Sequence, residues 1–244
     1  MSLSSNSLIH FTKNKDALKG ILQNNFKIFN CIETITLGGR KNAFAIPMVS
    51  FCDIPLSEIK EHISKYGNYG IGMTKEWAVR QGLNPVLYMG QTSMLSESYR
   101  LAWNNMISLE ETEDEEETAT TDILRYIKNY EADLTRQGET ITNYRFSDER
   151  EWRYVPPFSK EYISIAHTDW YDIKENKEQA DGQLEELRLT FNPEDIKYII
   201  IAEDSEIGEF IDYLRRAKGK NYSLHEIERL TTRILTVEQI MTDI

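Results

Sequence analysis

Two groups in the chain have the type and placement to move protons or hold charge. His10 closes the stretch SLIHFT (residues 7–12), where Ser7, Leu8, Ile9 and Phe11 suit an extended segment. An imidazole beside the Thr12 hydroxyl at a strand end can carry a proton or hold a ligand, or it can simply pack. Glu151 opens EWRYV (151–155). If residues 150–155 are extended, side chains alternate, so Glu149, Glu151 and Arg153 share one face while Trp152 and Tyr154 share the other. A carboxylate at a strand start can stabilise a developing cation or take a proton. The same spacing also describes an edge-strand salt bridge from Glu151 to Arg153 or Arg150, which contributes little. Ser50 and Asp53, in MVSFCDIP, are lesser candidates that could equally shape the turn before Pro55. His62 lies among charged residues and is expected at the surface; His167, in IAHTDWYD, has no evident role. Trp77, Trp103 and Trp152 are expected in the core.

Other chemistries lack their motifs. There is no G-x-x-x-x-G-K-[ST] loop and no G-x-G-x-x-G fingerprint, and the glycines of YGNYGIG stand at the wrong spacing. No H-E-x-x-H or paired-cysteine zinc spacing occurs, so no metal is expected. A G-x-S-x-G nucleophile elbow is also missing.

The elements that must position these residues follow from periodicity. A strand over SLIHFT leads into a helix in NKDALKGILQNN, where Ala17, Leu18, Ile21 and Leu22 fall at helical spacing and Asn24-Asn25 ends it. AFAIPMVSFCDIPL (43–56) reads as one extended segment, SEIKEHISKYG (57–67) as a short helix closed by Gly67, and YGIGMT (69–74) as a strand. KEWAVRQG is a helix and NPVLYM a strand. Helical periodicity over 93–109 and 122–137, with the acidic run EETEDEEETATT (110–121) as a solvated connection, suggests a helical insertion at 93–140. Strands return at EWRYV, EELRLTF (185–191) and the nearly continuous apolar DIKYIIIAE (195–203). SEIGEFIDYLRRAK (205–218) is an amphipathic helix capped by Ser205, and TTRILTVEQIMTDI reads as a strand and a short helix. The expectation is a single α+β domain over 1–244.

Composition bounds the partners. The chain has 244 residues and a formal net charge of −12, from 28 basic and 40 acidic residues. That balance opposes non-specific binding to phosphate backbones over the whole surface, although a nucleic-acid target remains open. The late cluster of Arg215, Arg216, Lys218 and Lys220 fits a helix end, where cations meet its dipole. No apolar run approaches the roughly 20 residues of a membrane span, and no signal-peptide pattern opens the chain. Cys31 and Cys52 make no disulfide framework, and a cytoplasmic location is expected.

Two family resemblances add to this. IHFT followed by ALKGILQNNFKI resembles the first signature of ADP-ribosyltransferases of the diphtheria-toxin and PARP class, a strand H-G-[ST] and a helix I-L-x-x-G-[LF]-x-I. YGNYGIGMT is similar to their G-x-G-I-Y-F strand, and DEREWRYV to the strand that opens on their catalytic glutamate. The resemblance implies a split β-sheet core of that class with NAD as substrate. It puts Glu151 and His10 in catalysis, and His10, Phe11, Thr12, Ser50, Tyr66 and Tyr69 around the dinucleotide. Three departures stand out: Phe11 replaces the motif glycine, the stacking tyrosine falls on Gly72 so that Tyr69 or Tyr66 must supply the ring, and Asn25 replaces the glycine turn.

The second resemblance spans nearly the whole chain. SLIHFT, IPMVSFCDIPLSEIKEHISKYG, YGIGMTKEWA, NPVLY, DEREWRYVP and TRILTVEQI are similar to AbiGi proteins of bacterial abortive-infection systems, which are labelled antitoxins. The two resemblances imply different functions. One is an NAD-dependent ADP-ribosyltransferase, or NAD glycohydrolase, that modifies a protein or nucleic-acid target in phage defence. The other is a non-catalytic antitoxin whose acidic surface binds a basic toxin protein.

Overall fold

The computed structural model describes residues 5–108, 114–136, 139–219 and 222–243. It is mixed α+β. The chain divides into two compact units, each built from separated stretches: the first from residues 1–27, 50–83 and 187–244, the second from 28–49 and 84–186.

Apart from residues 26–39, the first third of the chain follows its periodicity. β1 (Ser7–Thr12) leads into α1 (Lys15–Asn24), whose N-cap Asn14 accepts a hydrogen bond from the Ala17 amide at 2.8 Å. Asn25 ends α1 at φ 68°, the conformation that a glycine would otherwise supply. β2 (Phe26–Lys27), β3 (Phe29–Leu37) and β4 (Arg40–Cys52) follow. β3 has no counterpart in the sequence reading; it pairs antiparallel with β4 through the Gly38-Gly39 turn, and both glycines have positive φ. α2 (Lys60–Tyr66), β5 (Tyr69–Thr74) and α3 (Lys75–Arg80) come where periodicity puts them.

The middle departs from expectation. NPVLYM splits into β6 (Asn84–Pro85) and β7 (Leu87–Met89), which pair with different strands. α4 spans Met94–Ser108, but α5 runs Asp114–Arg125, so the later part of the acidic run is helix and residues 109–113 lie outside the described residues. The helix expected over 122–137 stops at Arg125 and is replaced by β8 (Ile127–Asn129) and β9 (Glu131–Arg136), which hairpins with β10 (Glu139–Arg145). Tertiary pairing overrides local period here: β8 lies parallel to β7, and the Asn129 amide bonds both the N–H and the C=O of Thr36 on β3. The two helices are thus part of the second unit, with strands completing the segment.

β11 (Glu151–Tyr154), β12 (Ala166–His167), α6 (Thr168–Tyr171) and α7 (Lys174–Gln183) close the second unit. β13 (Arg188–Leu189) is shorter than EELRLTF suggested. β14 (Ile196–Ile201), α8 (Ile207–Lys218), α9 (Leu224–Thr231), β15 (Ile234–Thr236) and α10 (Val237–Asp243) complete the first. Glu206, not Ser205, caps α8, because residues 204–206 form a 3₁₀ turn. Arg215 and Arg216 fall near the end of α8 as expected, whereas Lys220 lies outside the described residues.

In the first unit the strand order is β15–β14–β5–β1, with the end of β4 joining β1 at Ile9 opposite Cys52. Alternation along β1 sends Ile9 and Phe11 to one layer with Ile54, Ile59, Ile63 and Ile240, and Leu8 and His10 to the other. Gly72 on β5 has to be glycine: a Cβ there would come within 2.8 Å of the Tyr198 ring. The second unit centres on Ile35, Phe44, Ile46, Met48, Leu124 and Ile127.

Candidate functional site

His10 stands on β1 opposite Ile71 of β5, and Thr12 stands opposite Tyr69. The His10 imidazole packs edge-on to Phe26 at 5.4 Å and tilted to Phe51 at 5.6 Å; Phe26 in turn touches Trp77 and Phe191. Its Nδ1 is 2.8 Å from the Ser50 carbonyl oxygen, which assigns the Nδ1–H tautomer as donor. The residue keeps some solvent exposure, but its ring lies within this aromatic layer. Burial pulls the imidazole pKa below its ordinary value, and the Ser50 carbonyl bond opposes that pull.

The other first-unit candidates are held separately. Phe11 packs into the isoleucine layer with Ile9. The Thr12 hydroxyl donates to the Asn14 carbonyl at 3.2 Å. The Tyr69 hydroxyl donates to Glu206 Oε1 at 2.9 Å, and Lys15 Nζ lies 2.7 Å from the same oxygen. Tyr66 packs on His62 at 5.6 Å, and His62 is buried in α2, correcting its expected surface position. Asp53 is buried and joins Lys75 at 2.7 Å and the Ser5 amide at 2.9 Å, so it holds Ser5 beside the start of β1. Of the tryptophans, Trp77 is fully buried, whereas Trp103 and Trp152 are only partly so.

Glu151 belongs to the second unit and occupies a different chemistry. Glu151 and Arg153 share the buried face of β11, as alternation required, and Arg153 has no exposed surface; Glu149 is buried as well, but from a 3₁₀ turn over Phe146–Glu149, after which Arg150 takes a positive φ in place of the expected extended conformation. Arg153 Nε donates to Glu151 Oε1 at 2.6 Å, its Nη2 reaches Glu33, and its Nη1 donates to the Arg125 carbonyl at 3.1 Å. Lys128 Nζ lies 2.7 Å from the other Glu151 oxygen, 3.4 Å from Glu149 and 3.9 Å from Glu33. The Tyr144 hydroxyl donates to Glu149 at 3.0 Å, and the Glu151 amide donates to the Tyr88 hydroxyl oxygen at 2.9 Å. Burial works against ionising Glu151, but the charges of Arg153 and Lys128 overcome it and hold the carboxyl far below the usual carboxylate range. Burial also pushes the Tyr88 phenol up to about 12, against the bond from the Glu151 amide.

The bond between Glu151 and Arg153 is thus present, but in the interior and not on an exposed edge. Sequence reasoning missed Glu33 and Lys128. Lys128 was assigned to a helix that does not form, and β3, which carries Glu33, was not recognised. Alternation along β3 was the available signal, since Ile35 and Leu37 are buried while Ile32 and Thr34 are exposed. Among the described residues no group of three or more histidine, cysteine, aspartate or glutamate side chains could hold a metal ion. Cys31 and Cys52 form no disulfide, and burial raises the Cys31 thiol to about 11, so it is a poor nucleophile. No helix among the described residues is long and apolar enough to cross a membrane.

No solved structure matches this chain. A protein of Lactococcus lactis subsp. cremoris named "Abortive phage resistance protein AbiGi" is 26% identical to it over 220 residues, covering 81% of this chain and 88% of that protein. Residues 24–202 match the family model described as "Putative abortive phage resistance protein AbiGi, antitoxin". The matched span holds β3, β4, β5 and β11 and therefore the whole charge cluster around Glu151, and the chain belongs to the AbiGi family.

Proposed function

We propose that this chain acts in abortive phage resistance as an antitoxin, binding a toxin protein and suppressing it without chemistry of its own. The observation that carries the proposal is the state of Glu151. Both carboxylate oxygens lie within 2.7 Å of a cation, Arg153 on one side and Lys128 on the other. A carboxylate that is to stabilise a developing oxocarbenium must present uncompensated charge to it. Here two fixed cations already take up that charge, and their removal would leave a buried anion unpaired. The groups the transferase resemblance would give to NAD are engaged likewise. His10 is bonded to Ser50 and enclosed by phenylalanines, the Thr12 hydroxyl is used at the start of α1, and the Tyr69 hydroxyl is used by Glu206. These residues do not fit a dinucleotide as they stand. The net charge of −12 suits a basic partner by electrostatic complementarity.

The test is expression, in a heterologous bacterium, of each gene flanking the one for this chain, alone and with it. One flanking product is expected to arrest growth and this chain to restore it, with Glu151→Gln and His10→Gln restoring it equally. Growth arrest by this chain alone, with falling NAD that Glu151→Gln prevents, overturns the proposal in favour of the transferase. That second reading draws on the placement of His10 on β1, Tyr69 on the paired β5 and Glu151 at the start of β11, the strand positions of the transferase signatures.

A further inference from the structure

Arg229 and Arg233 are two cations that the first unit brings together with no carboxylate in ion-pair contact among the described residues. Arg229 is exposed in the last turn of α9, and Arg233 follows that helix by two residues, at the entrance to β15. The backbone of Arg233 is fixed. Its amide donates to the Leu230 carbonyl at 3.0 Å, and its carbonyl accepts from the Ile199 amide on β14 at 2.9 Å. Its guanidinium is partly buried, and Nη1, shielded from solvent, meets no hydrogen-bond acceptor. Burial and the charge of Arg229 both pull the Arg233 pKa below its ordinary value.

The nearby acceptors are already in use. Cations at a helix C-terminus ordinarily bond its last carbonyls. At the end of α9 the Glu228 carbonyl accepts from the Thr231 hydroxyl at 2.7 Å, the Arg229 carbonyl from the Thr232 hydroxyl at 2.8 Å, and the Leu230 carbonyl from the Arg233 amide. Glu226 is held below the usual carboxylate range first by Ser223, which it caps, and only then by Arg229. The buried arginines of the second unit are different: Arg153 has Glu151 and Glu33, and Arg125 has Asp122 and the Pro156 carbonyl. A guanidinium nitrogen kept from water without an acceptor is costly, and so is a second cation beside it. An oxyanion bridging the two forks answers both costs. Charge selects among oxyanions: a carboxylate brings one negative charge, whereas a phosphate monoester brings about −1.5 to −2 at pH 7 and three acceptor oxygens. A phosphodiester chain is opposed by the net charge of −12. We infer that Arg229 and Arg233 form a binding site for one phosphate group, supplied as the free ion or as the monoester of a small molecule.

The test is titration calorimetry on the full chain in phosphate-free, low-salt buffer, with inorganic phosphate, adenosine 5′-monophosphate and acetate as probes. Phosphate is expected to bind at one to one, and acetate about tenfold more weakly or less. Arg229→Gln and Arg233→Gln should each weaken phosphate binding about tenfold or more, and the double variant should abolish it. Arg215→Gln with Arg216→Gln, which removes two cations from the end of α8, should leave it unchanged. Tighter binding of the nucleotide than of phosphate assigns a monoester as the source; equal or weaker binding assigns the free ion. Phosphate should also raise the melting temperature of the wild type and not that of Arg233→Gln. Arg229 is exposed, so its variant tests the site with the fold intact. The inference is overturned by no saturable binding of phosphate or nucleotide, by equal binding of acetate, or by an equal loss in the Arg215/Arg216 variant. So it is by an Arg233→Gln variant that melts lower yet binds phosphate as the wild type does, which makes this arginine structural.

Discussion

The surroundings of His10 and of Glu151 solve the same problem, a polar group in the interior, by opposite means. Around His10 the neighbours are rings: Phe26, Phe51 and, one contact further, Trp77 and Phe191. The imidazole stays neutral and needs one hydrogen bond, to Ser50. Around Glu151 the neighbours are charges, with Glu33, Glu149 and Glu151 facing Lys128 and Arg153. A neutral ring among apolar rings tolerates change in proportion to lost contact area. A buried network of full charges does not, because removing one member strands the others.

The largest expected effect follows directly. Arg153→Ala leaves Glu151 and Glu33 facing Lys128 alone, and should destabilise the fold by about 3–5 kcal/mol. Urea denaturation at pH 7 measures it. Arg153→Met with Glu151→Gln and Glu33→Gln should recover much of the loss; a triple variant no better than Arg153→Ala would mean that lost packing dominates. On the aromatic side, Phe26→Leu removes a ring that touches four others but leaves no charge behind. It should cost about 2 kcal/mol, between a methyl deletion and a full truncation. A loss as large as that from Arg153→Ala would erase the distinction between the two regions.

Acid should separate them as well. The His10 pKa is lower folded than unfolded, so the unfolded chain binds more protons as pH falls below about 6.5. Stability that rests on neutral His10 is full above that pH and declines as pH drops toward the folded value. Glu151 is also depressed, from an unfolded value of about 4.3, so its contribution is full above that pH and is lost only in stronger acid. Denaturation curves from pH 7 to 3 should show His10→Gln flattening the change that sets in below about 6.5, and Glu151→Gln flattening the change below about 4.3. If His10→Gln leaves the upper window unaltered, the imidazole is not held neutral.

The two regions also differ in how far the sequence foretold them. β1, α1, β5, α3 and β11 repeat one period each, so they were read correctly, and with β11 the shared face of Glu151 and Arg153; Glu149 comes to the same cluster from a 3₁₀ turn, not from the expected extended run. Asn25 at a left-handed helix end was likewise foreseen, because asparagine tolerates that conformation. What failed is non-local. Residues 122–137 carry a helical spacing of apolar side chains, yet Ile127 and Asn129 are buried by strand partners on β7 and β3, which no local period records. β3 was missed because its sequence between Phe29 and Leu37 mixes exposed Phe29 and Ile32 with buried Ile35 and Leu37. Losing β3 and β8 hid Glu33 and Lys128, so the charge cluster was seen only as one edge pair.

The smallest expected effect concerns Tyr69, which the transferase resemblance makes a stacking ring and the antitoxin reading makes a hydrogen-bond donor. Tyr69→Phe keeps the ring and removes the bond to Glu206, whose carboxylate retains Lys15 at 2.7 Å. Because the acceptor keeps a charged partner and the site is partly open to solvent, the loss should be about 1 kcal/mol or less. Tyr69→Leu removes ring and hydroxyl together. Under the antitoxin reading Tyr69→Phe and Tyr69→Leu protect cells equally once each is shown to be folded, since no ligand is stacked on the ring. Under the transferase reading Tyr69→Phe keeps activity while Tyr69→Leu loses it, because stacking needs the ring alone. A protection assay with both variants, read beside their melting temperatures, therefore separates a scaffold tyrosine from a ligand-stacking one.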